Sequence, residues 1–324
     1  MSEMAEIVCM GEMLVEIMRK EVGVPLSEAA EFMGPYPSGA PAIYIDAAAR
    51  LGADTGFIGV VGPDDFGDVI EDRLEEDGVD VSGVKRREGH TTGCAFVSYN
   101  ADGSRKFIFH LRYSAAGTLA PGDVGEELLS DTKLLHLMGS ALSTSDSSRD
   151  ACYRAMEIVK ANGGLVSLDP NLRPELLGID RVREICAPVL EVCDIVLPSG
   201  EEASMLAGID DPQEACRSLL KNAKVVALKM GSEGCRIFSA EGEILVPPFP
   251  IERLMDRVDP TGAGDCFDAG FTTSYVDGKS LTKCGRMGNT VGAFAITKMG
   301  PMEGSPLLED ISRIEGKMNW KWED

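Results

Sequence analysis

The sequence predicts a doubly wound α/β protein with a mainly parallel sheet and a small β lid. Short apolar runs recur along it: "EIVCMGEMLVEI", "TGFIGVVG", "KLLHLMG", "GLVSLDPN", "CDIVLPS" and "KVVALKMG". They are bounded by glycine or proline and separated by helix-length segments, the pattern of parallel strands buried on both faces. At 324 residues the chain can also bury a large core without disulfides or structural metals. Ligands of such a sheet are expected at the carboxyl ends of its strands.

Two segments, 13–38 and 91–118, break the strand–helix rhythm. Within the second, "TGCAFVSYNADGSRKFIFHLRY" reads as two strands around an Asn-Ala-Asp-Gly turn. Both are assigned to a lid packed over the main sheet. No linker composition and no 20–50-residue repeat interrupts the rest, so 1–324 is taken as one domain carrying that lid.

The balance of 31 basic against 53 acidic residues gives a net charge of −22. Such a field repels nucleic acid and anionic membranes, which are therefore not expected as partners. A phosphorylated ligand would need a local cluster of amides or cations, or a metal, to overcome it. Nine scattered cysteines without a Cys-x-x-Cys pair, and only three histidines, read as buried free thiols of a reduced protein rather than a zinc set. No run approaches a membrane span and the N-terminus lacks a signal-peptide pattern, so a cytoplasmic location is expected.

Two nucleotide-binding patterns fail. Gly278-Lys279-Ser280 ends like a P-loop, but Thr273 stands where its first glycine belongs. Gly262 and Gly264 begin a dinucleotide fingerprint, but Phe267 takes its third glycine position. The loop "VDPTGAGDCFDAGF" offers another solution. Residues 262–264 can turn their amides toward an anion where a helix over 265–276 begins, and small side chains allow close approach. Asp265 beside that hole is placed to take a proton from an attacking hydroxyl. Read alone, the same residues also suit a helix cap after a glycine turn.

This loop resembles the C-terminal signature of the ribokinase-like, or PfkB, carbohydrate kinases, whose usual form is Asp-Thr-x-Gly-Ala-Gly-Asp followed by a helix. Further stretches agree in the family's order: "GEMLVEI", "PSGAPAIYIDAAARLG", "GVVGPDDFGD", "SLDPNLRP", "LPSGEEASML", "LKMGSEGCRIF" and "GNTVGAFAITKMGP". The resemblance implies a ribokinase-like three-layer α/β/α fold and transfer of the γ-phosphoryl group of ATP to a sugar hydroxyl. Asp265 would be the catalytic base, touching the accepting hydroxyl, with Gly262, Ala263 and Gly264 as catalytic loop residues, and the amides of Ala263, Gly264 and Asp265 would stabilise charge on the transferring phosphoryl group. Lys229, Gly231 and Gly234 would contact phosphate and ribose, and Asn289 would flank the adenine. The family's Asn-x-x-Glu element, which orders Mg2+, maps onto residues 199–202, with Glu202 retained and Ser199 replacing asparagine. ATP and Mg2+ are the implied cofactors, and a monovalent cation is admitted.

At the sugar end, Glu16 stands where the family usually carries an aspartate, and Ser38, Gly39 and Ile43 align with its Gly-Gly-x-x-x-Asn motif. Ile43 removes a polar sugar contact. "SLDPNLRP" resembles the Asp-x-Asn-x-Arg element of fructokinases and 2-keto-3-deoxygluconate kinases, which implies substrate roles for Asp169 and Asn171 and a catalytic role for Arg173. "HLRYSAAGTLAP" resembles the lid passage of the keto-deoxygluconate kinases, with Arg112 as their substrate arginine and His110 in place of a tyrosine. The acceptor is thus expected to be 2-keto-3-deoxygluconate or a ketohexose such as fructose or tagatose. A catalytically weak sugar or nucleotide sensor, motivated by Ser199, Ile43 and Glu16, and a nucleoside kinase are the rival readings. Lid strands with open edges lead to the expectation of a homodimer.

Overall fold

A computed structural model describes residues 5–172, 177–253 and 255–318. Thirteen strands are seen among them: β1 (Ile7–Gly11), β2 (Leu14–Arg19), β3 (Phe32–Ser38), β4 (Thr55–Val61), β5 (Asp80–Arg86), β6 (Gly93–Tyr99), β7 (Arg105–His110), β8 (Leu134–Met138), β9 (Leu165–Asp169), β10 (Ile195–Val196), β11 (Val225–Lys229), β12 (Cys235–Ser239) and β13 (Gly242–Val246). Nine form one sheet in the order β13-β12-β11-β10-β9-β8-β1-β4-β5, parallel except for the antiparallel edge β11-β12-β13. The other four form the lid, in the order β3-β2-β6-β7.

Alternation along the central strands builds the three layers. Ile7 and Cys9, Leu134 and Met138, Val225 and Ala227 face one apolar core with the helices Ala40–Arg50, Ala263–Val276 and Leu281–Ala295. Val8 and Met10, Leu135 and Leu137, Val226 and Leu228 face a second core with the helices Asp146–Ala161, Ile179–Leu190 and Pro212–Leu219. A strand covered on both faces needs apolar residues at both parities, which is why these runs are continuously apolar. Helices start where short polar side chains accept an orphan amide: Asp64 from Gly67, Ser145 from Ser148 and Asp211 from Glu214.

The opening run "EIVCMGEMLVEI" does not stay in one sheet. It divides at Gly11, where φ is 144°, into β1 of the main sheet and β2 of the lid. Hydropathy reports burial but not which sheet buries a residue, and the glycine lets the chain turn between them.

His136 on β8 is fully buried, stacked on Tyr44 at 3.8 Å with Nδ1 2.7 Å from Ser167 Oγ. Burial pushes its pKa down to about 3, Asp169 opposing and Lys229 reinforcing the shift. The native imidazole is therefore neutral, whereas an unfolded histidine titrates near 6.5. The stability it contributes is complete above that value and is lost as pH falls toward about 3, because the unfolded chain takes up the proton first. Between pH 6.5 and 5 the unfolding free energy in urea should fall by about 2 kcal/mol more for the wild type than for His136→Gln. Parallel pH profiles would exclude this histidine as the cause.

Candidate active site

Two cavities meet over the carboxyl ends of the parallel strands. The first, ≈240 Å³, lies beneath the lid and is lined by residues that follow β1, β8, β9 and β10, including Glu12, Ser140, Asp169, Asn171 and Ser199. The second, ≈380 Å³, lies between the Gly231–Gly234 turn, Phe249 and the helix that carries Asn289. Lys229, Pro260, Ala263 and Gly264 belong to both linings, so the wall between the cavities is a lysine and a helix N-terminus.

That N-terminus is built by its loop. Asp259 is buried and its Oδ1 accepts the amide of Thr261 at 3.0 Å and its hydroxyl at 2.7 Å, while Oδ2 accepts the amide of Gly300 at 3.1 Å. Gly262 then takes the left-handed conformation, φ 79°, and the helix Ala263–Val276 starts without a side-chain cap. Its first turn, which lines both cavities, thus offers uncapped amides and the positive end of the dipole where the cavities meet, an arrangement that suits an anion.

A buried polar chain runs from this loop to the sheet. Asn171, held at φ 35°, donates from Nδ2 to Asp265 Oδ1 at 3.1 Å and from its amide to Asp169 Oδ1 at 3.0 Å. Lys229 Nζ lies 3.0 Å from Asp169 Oδ2 and 3.0 Å from Asp268 Oδ2. Burial opposes the charge on Lys229, but the two carboxylates outweigh it and raise the lysine pKa, so the ammonium persists. Burial likewise works against ionisation of Asp169, yet Lys229 and a hydrogen bond with Asp268 hold it below the usual carboxyl range. Asp268 moves the other way, pushed well up by burial and by the charge of Asp169 beside it, with Lys229 opposing. Lys229 is thus a buried cation at the wall between the two cavities, with Asp169 and Asp268 beside it.

In the first cavity, Glu16 is 6% exposed and its Oε1 accepts the Ser38 hydroxyl at 2.8 Å. Both line the first cavity with Gly39 and the methyl wall of Ile43. Glu12, which the sequence reading passed over, adds a second buried carboxylate. The lid contributes Arg105, Phe107, Phe109 and Leu111, all of one parity of β7 and its extension. The structure does not bring His110 and Arg112 to this lining. Both have the opposite parity, are exposed, and are absent from the cavity lining. Arg105 is the lid arginine that reaches the cavity, and the alternation in "RKFIFHL" was the signal for it. Arg173 lies outside the described residues.

Gly231 and Gly234 line the second cavity. Asn289 lines it too, but its Nδ2 is committed to the carbonyls of Val246 and Pro247 at 3.2 and 2.9 Å, which ties the helix to β13. Glu202 lines the first cavity while its oxygens accept the amides of Leu172 at 3.0 Å and Ser199 at 2.8 Å. No group of three or more metal-ligating side chains is present among the described residues. A carboxylate offers about four lone-pair positions, so Glu202 retains acceptor capacity toward water bound to a magnesium ion. This donor set suits Mg2+, which keeps several waters and binds through few carboxylates and substrate phosphates.

Among the described residues no helix is long and apolar enough to cross a membrane. The profile of the pfkB family carbohydrate kinases matches residues 4–308. Fructokinase-1 of Zea mays is 33% identical over 318 residues, covering 95% of this chain and 97% of its own. A provisionally named ribokinase II of E. coli, solved in complex with ATP and Mg2+, is 40% identical with a TM-score of 0.90, covering 97% of this chain and 100% of its own. The fructokinase of Vibrio cholerae O395, solved with fructose, ADP and calcium ion, is 25% identical with a TM-score of 0.81, covering 96% of this chain and 98% of its own. With two cavities joined at a helix N-terminus and these likenesses along nearly its whole length, the chain belongs to the pfkB family of carbohydrate kinases: ribokinase-like, ATP-dependent phosphotransferases acting on a sugar hydroxyl.

Proposed function

We propose that the chain phosphorylates a neutral ketohexose of the fructose class with MgATP, using Asp265 as general base. The observation that carries this reading is the wall shared by the two cavities: Lys229 and the uncapped start of the helix Ala263–Val276, with Asp265 on the acceptor side. ATP occupies the second cavity with its phosphates at that wall. The hydroxyl to be phosphorylated lies against Asp265, which takes its proton as the oxygen attacks the γ-phosphorus. The amides of Ala263, Gly264 and Asp265, aided by the Lys229 ammonium, stabilise charge on the transferring group. Magnesium, held through water by Glu202 and by the phosphates, would neutralise phosphate charge. Glu16, Ser38 and Gly39 orient the sugar, Asp169 and Asn171 hold Lys229 and Asp265 in place, and the aromatic face of β7 excludes water.

The charge of the first cavity supports a neutral acceptor over a sugar acid. Its lining holds Glu12, Glu16, Asp169, Glu202 and Asp265 against two cations, Lys229 and Arg105. Lys229 is paired with Asp169 and Asp268, and Arg105 donates to Thr261 at 2.8 Å. Carboxylates accept hydroxyl hydrogen bonds well but repel another carboxylate. The fructokinase names among the relatives agree with this choice.

The test is coupled ADP release with MgATP against fructose, tagatose, psicose, 2-keto-3-deoxygluconate, ribose and inosine. Turnover is expected with a ketohexose at a kcat/KM at least about tenfold above that for the sugar acid, since one desolvated charge mismatch is worth that much. Preference for 2-keto-3-deoxygluconate would overturn the neutral-acceptor reading. Preference for inosine would make the protein a nucleoside kinase, and sugar binding without ADP release would make it a sensor.

A further inference from the structure

We propose that Tyr99 and Arg105 are positioning residues that latch the lid to the phosphoryl-transfer loop, holding the anion site in its working geometry only when the lid is seated. This rests on the kinase reading above and extends it to Tyr99, which has no role there, and to Arg105, which is counted there only as a lining cation. Tyr99 ends β6 and Arg105 begins β7, and the two are register partners flanking the hairpin tip. Both reach across about 160 residues of sequence to the same short loop. Tyr99 Oη lies 3.1 Å from both Oδ1 and Oδ2 of Asp259. Arg105 Nη1 donates to Thr261 Oγ1 at 2.8 Å.

These two landing points are one unit. The Asp259 Oδ1 that receives Tyr99 also receives the amide and hydroxyl of Thr261, and Thr261 directly precedes Gly262, where the chain turns into the helix start. Asp259 therefore accepts from Thr261, Tyr99 and Gly300, which joins the lid, the loop and the 300–301 segment at a single buried carboxylate. Removing the Tyr99 hydroxyl leaves that carboxylate short of a donor, and the loop is the part free to shift. Arg105 chooses a threonine hydroxyl in a chain with 53 acidic residues, and its guanidinium lies 5.5 Å from the ring of Phe107 on the cavity face of β7. Seating of that aromatic face over the acceptor and ordering of the amides at Gly262–Asp265 thus become the same event. Tyr99 is absent from both cavity linings, so it acts through the loop and not by touching substrate.

Full-length wild type, Tyr99→Phe, Arg105→Met, Thr261→Val and Thr261→Ser are compared in two measurements. Amide hydrogen exchange without ligands should quicken about tenfold at Thr261, Ala263 and Cys266, whose amides are hydrogen-bonded within the loop and the helix start, in the first three variants, the loss of one hydrogen bond to a charged or buried acceptor, with β8 and β9 unchanged. Thr261→Ser keeps the hydroxyl and should exchange as wild type. In steady state with ketohexose and MgATP, Tyr99→Phe should lose about tenfold in kcat while KM for ATP moves less than about twofold. ADP release without sugar should rise relative to transfer, because an unseated lid admits water. Wild-type loop exchange and kcat in Tyr99→Phe would overturn the latch, and so would exchange quickened equally in β8 and β9, which marks general destabilisation. A wild type that turns over no sugar would reject the kinase reading alone, since exchange in the ligand-free variants still decides the latch.

Discussion

Asp265→Asn should lower kcat about a thousandfold while leaving KM for sugar and ATP within about threefold, the signature of a lost general base. Asparagine has the same shape and can still accept the Asn171 Nδ2 hydrogen bond, seen at 3.1 Å, so the loop and the acceptor cavity should survive. What disappears is the capacity to take a proton from the attacking hydroxyl. The coupled ADP assay, with sugar binding measured separately by calorimetry, separates the two effects. Asp169 lines the same cavity, but Lys229 at 3.0 Å holds it ionised and committed, which makes it a poor substitute. Turnover within tenfold of wild type would remove Asp265 from the base role. Loss of sugar binding together with turnover would recast it as a substrate anchor.

Gly262→Ala should cost about a hundredfold or more in kcat, comparable to removing a donor from an oxyanion site. The position demands glycine twice over. Its φ of 79° is left-handed, and an added Cβ would meet the Pro301 carbonyl oxygen at 2.4 Å and Ile43 Cγ2 at 3.2 Å. The carbonyl belongs to backbone and cannot swing aside, so the turn must move and take the amides of residues 263–265 with it. Gly264→Ala is the informative companion, because its added Cβ would meet only Lys229 Nζ, at 3.7 Å, an ordinary contact. Gly264→Ala should melt close to wild type yet lose phosphate affinity, whereas Gly262→Ala should lose about 1–3 kcal/mol of stability as well as turnover. Equal melting temperatures and equal rates for Gly262→Ala and wild type would show that the turn does not govern the anion site.

How much of the protein can be read from its sequence depends on the range of the interaction. Strand runs and the start of the helix Ala263–Val276 are local: continuous apolar runs follow from burial on both faces, and Gly-Ala-Gly-Asp states a turn and a helix entry within four residues. The acidic excess likewise announced that a phosphate site must bring its own positive charge. The particular cation is less legible, because Lys229 acts through Asp169 and Asp268, partners 60 and 39 residues away. The lid arginine is hard to read for a different reason. Motif alignment pointed to Arg112, while the two-residue period of β7 puts Arg105 over the acceptor and leaves His110 facing out. Glu202 was expected at magnesium, and its oxygens accept two backbone amides, a demand visible only once Leu172 and Ser199 are brought beside it.

Residue type and spacing along the chain were thus enough to indicate a doubly wound sheet and a glycine turn into a helix, since each follows from contacts within a turn or a strand, while the phosphoryl-transfer role of that turn and the family came from the resemblance of its motifs. The charge of the acceptor cavity, the face the lid presents to it, and the seating of Tyr99 and Arg105 on Asp259 and Thr261 emerge only on folding. They depend on pairs more than 150 residues apart meeting within about 3 Å, and no local period or motif encodes such a meeting.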